Sequence, residues 1–123
     1  MNYYSKYDIT GFAKDLGLSI SEISELYTEL INEINSSLSD LKIFIIKKDL
    51  ESMQKIIHNI KGVSGNYRLT DVYEKASKIN NSLRSNYLAY LESDLNELFI
   101  IISMAEIEIT NFFKEHSVFI NIA

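Results

Sequence analysis

Apolar residues recur along this chain at steps of three and four, and the runs that carry them predict five helices. Ile9, Phe12, Ala13 and Leu16 make a short first one. Gly17 supplies its left-handed stop, and Leu18 the hydrophobic contact that commonly follows such a stop. Ser19 with Glu22 spells a capping box and Leu18 with Ile23 a hydrophobic staple, so a second helix must begin here. Its inner positions are Ile23, Leu26, Tyr27, Leu30, Ile31, Ile34, Leu38, Leu41, Phe44 and Ile45, and it runs to Lys47 across an SSLS stretch of lower propensity. Lys47 and Lys48 suit the negative end of that helix, and Asp49 can cap the next. So short a connection makes the two helices antiparallel neighbours.

Asp49 to Leu69 reads as a third helix. At about 100° per residue, Met53, Ile56, Ile60, Val63 and Tyr67 form its inner stripe, with Ile57 and Ser64 at the edge. Thr70 is the expected N-cap of a fourth helix, whose inner stripe is Val72, Ala76, Ile79 and Leu83 and which fades near Ser85-Asn86. The last helix carries the cleanest pattern: Leu88, Leu91, Leu95, Leu98, Ile102, Ala105, Ile109 and Phe112 alternate steps of three and four, the a/d spacing of bundle packing. The expectation is an all-α fold, an antiparallel up-down four-helix bundle with a short extra N-terminal helix, in one domain over residues 1–123. Residues 1–7, with three tyrosines, are an arm laid on the bundle. Residues 117–123 (SVFINIA) are apolar and either tuck back or mark the cut end of a longer chain. Phe113 and Phe119 are the apolar residues most open to a partner, and the long last helix could extend past the bundle or self-associate.

Composition narrows the chemistry. A net charge of −5 argues against a nucleic-acid partner, which calls for a basic face. With no cysteine there is no disulfide framework, thiolate metal site or cysteine nucleophile. The opening MNYYSKYDIT lacks the apolar core of a signal peptide. The longest apolar run, Leu98 to Ala105, is far short of the roughly 20 residues that span a bilayer. A soluble cytoplasmic protein without membrane or nucleic-acid contacts is expected. No Glu-x-x-His pair is present, which removes the di-iron bundle site, and no other metal site is expected. P-loop, dinucleotide fingerprint and nucleophile elbow are all missing, so the chain cannot phosphorylate itself from ATP. Ser64 has no His base on its helix face and reads as a packing residue or local hydrogen-bonder. His116, in the final turn beside Lys114 and Glu115, reads as structural.

One pattern is left over. On the outer face of the third helix stands His58, with Glu51, Gln54, Lys55, Lys61, Gly62 and Gly65 around it. A helix-interior glycine costs roughly 1 kcal/mol relative to alanine. Two of them beside one imidazole, away from the core, suggest close approach by another molecule. Lys61, one turn on, is placed to neutralise an anion held on the ring. The bland alternative is a solvated histidine and two tolerated defects.

His58-Asn59-Ile60-Lys61-Gly62-Val63-Ser64-Gly65 resembles the motif H-x-[LI]-K-G-x-[SA]-[GA] of histidine-containing phosphotransfer (HPt) domains of bacterial two-component phosphorelays. Asp49 sits nine residues before the His, where that family opens this helix, and Leu69 fits its following apolar position. Ile57 departs from the small residue that commonly precedes the His, and Arg68 from the Gly that commonly ends the motif. The resemblance implies that His58 accepts a phosphoryl group from a receiver-domain aspartyl phosphate and passes it to another receiver. It implies catalytic roles for His58 and Lys61, and a docking surface of Gln54, Lys55, Gly62, Gly65 and Arg68. It implies no cofactor of the domain's own, Mg²⁺ coming with the receiver. The partners expected are a response-regulator receiver domain or a histidine kinase, with the chain itself a monomer. A histidine side chain titrates near about 6.5 in water, so an exposed one is mostly neutral and nucleophilic at pH 7. Lys47, Lys48, Lys55, Lys61 and Arg68 would steer a receiver's acidic pocket toward it. Two rival readings stand beside this one. The first is a non-catalytic module that binds a receiver or kinase without accepting phosphate, and the second a structural or oligomerising bundle with a fortuitous His.

Overall fold

The computed structural model describes residues 6–120 and 122. Its elements are α1 (Ile9–Leu16), α2 (Ile20–Lys47), α3 (Leu50–Asn66), α4 (Thr70–Arg84) and α5 (Leu91–Glu115), with no strand among the described residues. α3 packs on α2 and α4, α4 on α5, and α5 back on α2, while α1 lies on α2. These contacts fit a helical bundle. No helix among the described residues is long and apolar enough to cross a membrane.

Local signals set the starts and stops. Gly17 ends α1 at φ 69°, and the Leu18 N–H donates to the Ala13 carbonyl at 2.9 Å. The capping box closes reciprocally: the Glu22 N–H donates to Ser19 Oγ at 3.1 Å, and the Ser19 N–H to Glu22 Oε1 at 3.0 Å. Asp49 accepts from the Ser52 N–H at 3.1 Å and from its hydroxyl at 2.7 Å, bonds that hold its carboxyl below the usual range.

The structure corrects several boundaries and faces. α3 stops at Asn66, because Tyr67 caps it and Arg68 turns into the left-handed region at φ 62°. Leu69, not Thr70, is the N-cap of α4, and no side chain caps that end. α5 begins at Leu91, three residues after Leu88. The buried line of α3 is Met53, Ile57, Ile60 and Ser64, while Ile56, Val63 and Tyr67 are half-buried. The inner face is therefore rotated toward Ile57 and Ser64, since α3 is clasped from two sides, by α2 and α4. Phe113 is fully buried instead of open, packed on Tyr27 at 5.8 Å and on Phe112 at 5.1 Å between ring centres. Phe119 is exposed as expected, while Val118 and Ile120 pack against the core. Of the N-terminal arm, residues 1–5 lie outside the described residues. Tyr7 is buried, and its hydroxyl donates to Asp71 at 2.9 Å. Burial and that carboxylate together push the phenol's pKa far up.

Where α3 ends, an aromatic cluster forms. Tyr27 meets Tyr67 at 5.4 Å and Phe12 at 6.2 Å, edge to face, and its hydroxyl donates to the Tyr67 carbonyl at 3.0 Å. The carbonyl that caps α3 is thereby satisfied from α2, and the helix bearing His58 is anchored at its far end.

One core-edge group works against stability. Glu106 faces α2 with one carboxyl oxygen buried and without a partner, and burial raises its pKa despite a hydrogen bond from Asn35. A raised folded-state pKa means that, as pH climbs from the ordinary carboxylate range toward the raised value, the unfolded chain has already shed the proton the folded chain still holds. Stability is fully present at lower pH and falls through that window. Glu106→Gln should therefore raise the melting temperature by a few degrees at pH 7, in keeping with roughly 1 kcal/mol for a poorly satisfied buried polar group. Scanning calorimetry at pH 7 and pH 4 checks this, and the gap between variant and wild type should shrink at the lower pH.

Candidate functional site

α3 presents His58 to solvent at mid-helix, eight residues beyond its first residue. Among the described residues the ring has no hydrogen bond, ion pair or aromatic contact, so both nitrogens are open to an incoming group. Ile57 and Ile60 on either side of it are fully buried and fix the rotation of the helix that carries it. Ser64 is buried as well, and its hydroxyl donates back to the Ile60 carbonyl, which is the local hydrogen-bonding role expected of it.

The two glycines separate. A Cβ built at Gly62 meets nothing within 4 Å, so bare backbone here leaves an open surface one turn from the imidazole. A Cβ at Gly65 would lie 3.0 Å from Cδ2 and 3.3 Å from Cε2 of Tyr73 on α4. Packing within the chain therefore accounts for Gly65, contrary to the expectation that neither glycine serves internal packing. Gly65 still lies exposed on the His58 side.

Tyr73 is also the residue that sequence reasoning passed over. Its ring, 40 % exposed, carries the Lys61 ammonium 5.9 Å from its centre. Lys61 is thus half-buried and leans across to α4 while staying one turn from His58. The available signal was a tyrosine three residues into a helix that follows, after a three-residue turn, one with a glycine in its last turn. A coupling test follows. Gly65→Ala should gain little or nothing in the wild type, because roughly 1 kcal/mol of helix propensity is offset by pushing the Tyr73 ring aside. In a Tyr73→Ala background the same change should recover most of that gain, as read by urea denaturation.

The cations expected around the His are dispersed. Lys55, one turn before it, is exposed and pairs with Glu51 at 3.6 Å. Lys47 and Lys48 sit beyond the N-terminal end of α3, about 15 Å from His58 along the axis. Arg68 is half-buried and tied to α1. It pairs with Asp15 and, at 3.2 Å, with Asp8, while its guanidinium lies 5.0 Å from the centre of the Phe12 ring. Holding a non-glycine residue at positive φ costs about 1 kcal/mol, and these contacts offset it. Arg68 therefore fastens α1 over the end of α3 in place of the glycine that commonly ends the motif. Gln54 is half-buried on the outer side of α3. Lys55, His58, Lys61 and Gly62 are brought together within two turns, and Lys47, Lys48 and Arg68 are not.

His116 is structural in its contacts, with Nδ1 2.8 Å from the Phe112 carbonyl and its ring 4.3 Å from that of Phe112. A cleft of about 470 Å³ opens between Ile45, Leu50, Met53, Leu91, Leu95 and Phe99, with Lys48 and Glu92 also on its lining, and His58 is not part of it. Among the described residues no group of three or more acidic, His or Cys side chains could hold a metal. Comparison with protein-family models, curated proteins and solved structures finds no match for the chain.

Proposed function

We propose that this chain is a histidine phosphotransfer domain, accepting a phosphoryl group on His58 from a receiver-domain aspartyl phosphate and passing it to a second receiver. The observation that carries the reading is the imidazole standing free at mid-helix with the bare backbone of Gly62 one turn on. A neutral ring nitrogen attacks phosphorus, the bond to the aspartyl oxygen breaks with its electron pair leaving on the carboxylate, and the proton on the other ring nitrogen passes to water. The reverse sequence at another receiver returns the imidazole. Little covalent work falls to the protein in such a transfer, so positioning and charge dominate. Lys61 swings from the Tyr73 ring to the phosphoryl oxygens, a short reach for a four-carbon stem. The Mg²⁺ of the reaction belongs to the receiver.

The architecture we attach to this reading is an antiparallel four-helix bundle of α2 to α5. Cross-helix pairs support it: Tyr27 meets Phe113, while Lys42, fifteen residues later, meets Phe99, fourteen residues earlier. On the other side, Asn59 reaches Glu33 across the short α2–α3 connection. The rival reading, a module that binds a receiver or kinase without taking phosphate, predicts complex formation and no labelled chain. Incubation with a ³²P-labelled phosphoreceiver decides between them. Label that appears on this chain, survives alkali and is lost in acid supports transfer, and an unlabelled chain overturns it.

A further inference from the structure

α5 presents two apolar seams where a bundle needs one. The inner seam is buried. On the opposite side Ile100, Met104 and Ile107 are 60 %, 59 % and 62 % exposed, in steps of four and three along one line. The same spacing continues through Glu97 and Ser93 toward the N-terminus and through Asn111 and Lys114 toward the C-terminus, all exposed. The result is a second heptad seam, apolar in the middle, acidic at one end and basic at the other.

We infer that this outer seam joins two copies of the chain in an antiparallel α5–α5 pair. Antiparallel packing sets a positions against d positions, and one register joins an apolar centre to opposite charges at both ends. Met104 of one copy lies on Ile107 of the other at the centre, Ile100 on Asn111 next, and Glu97 opposite Lys114 at each end, each layer occurring twice by the two-fold axis. In this register Glu108 flanks Ile101 and Ser103 flanks Thr110, while Asp94, level with Glu115, is turned inward and held by Lys75 and Lys78 of its own chain. Slipping one copy by a heptad puts Glu97 on Ile107 and leaves Lys114 outside the paired layers. Charge thus selects both the occupant, a second copy, and its direction. Antiparallel pairing also sets the two helix dipoles favourably. The paired stretch spans 18 residues from Glu97 to Lys114, about 26 Å of helix. That is a small interface, suited to a dimer of micromolar strength. A pair of this kind departs from the monomer expected from the sequence.

The inference stands apart from the phosphotransfer reading, yet fits it. α3 touches α2 and α4 and not α5, so a pair formed through α5 turns the His58 faces away from each other and leaves both open.

Sedimentation equilibrium of the full chain, from about 1 to several hundred micromolar, tests it. The wild type should move from monomer to dimer over this range, and Met104→Lys and Ile107→Lys, each checked by circular dichroism for retained helix, should stay monomeric. Glu97→Lys and Lys114→Glu should each weaken the dimer roughly tenfold, and the Glu97→Lys/Lys114→Glu double variant should restore it. That restoration discriminates, because Glu97 also pairs with Lys75 of its own chain, and Lys114→Glu cannot repair that contact. A wild type that remains monomeric throughout, or a dimer that survives Met104→Lys, overturns the interface. A double variant no stronger than the singles overturns the antiparallel register.

Discussion

Replacing His58 with Gln should abolish phosphoryl acceptance while leaving the fold untouched. The imidazole is exposed and has no partner among the described residues, so its removal breaks nothing that stabilises α3. Gln is at least as good a helix former as His, and its amide has no nucleophilic lone pair. The change in unfolding free energy should stay within about 0.5 kcal/mol, as for other surface substitutions. Transfer from a labelled phosphoreceiver should fall to background. Acid-labile, alkali-stable phosphate on the variant would show that another residue is the acceptor, and His116, whose Nδ1 lies against the Phe112 carbonyl, would be the one to test next.

Gly62→Glu should have nearly as large an effect by a different route. A side chain at this position enters open space, so nothing inside the chain resists it. Replacing an interior helical glycine should even stabilise the helix, by up to about 1 kcal/mol. The same side chain, however, puts bulk and negative charge one turn from the imidazole, where, on the proposed function, an acidic receiver pocket would close. Misplacement of reacting groups by about 1 Å costs on the order of 10²-fold in rate, and a wedge of this length displaces them by more. Rapid-quench measurement should therefore find transfer slowed at least about a hundredfold in a variant with a melting temperature no lower than wild type. Unchanged transfer would mean that the partner does not dock over Gly62, and the functional surface would have to be sought elsewhere on α3. Gly62→Ala is the control, with the stability gain and little added bulk.

How much of this was legible in advance depends on the range of the interaction responsible. Gly17, the Ser19–Glu22 box and Asp49 were readable because each cap is a bond between residues two to four apart in sequence, with a chemistry specific to the residue type. The outward aspect of His58 was readable because helical rotation places it opposite Met53 and Ile60 whatever those residues pack against. The inner seam of α5 was readable for the same reason. Arg68 was not, because a non-glycine residue accepts positive φ only when distant groups hold it there, and Asp8 and Asp15 lie 53 residues or more away. The burial of Phe113 depends likewise on Tyr27 at the other end of the chain, and the seat of Gly65 depends on where α4 lays Tyr73.

The sequence by itself determined five helices, the ends set by capping, and one imidazole facing away from an apolar stripe, because periodicity and capping are properties of neighbouring residues. Tertiary structure alone decided which way α3 turns its buried line, that Gly65 receives a ring and Gly62 stays bare, and that Arg68 holds α1. Those outcomes depend on which helices clasp one another and on which side chains meet across the gap, and no local pattern encodes the meeting of residues far apart in the chain.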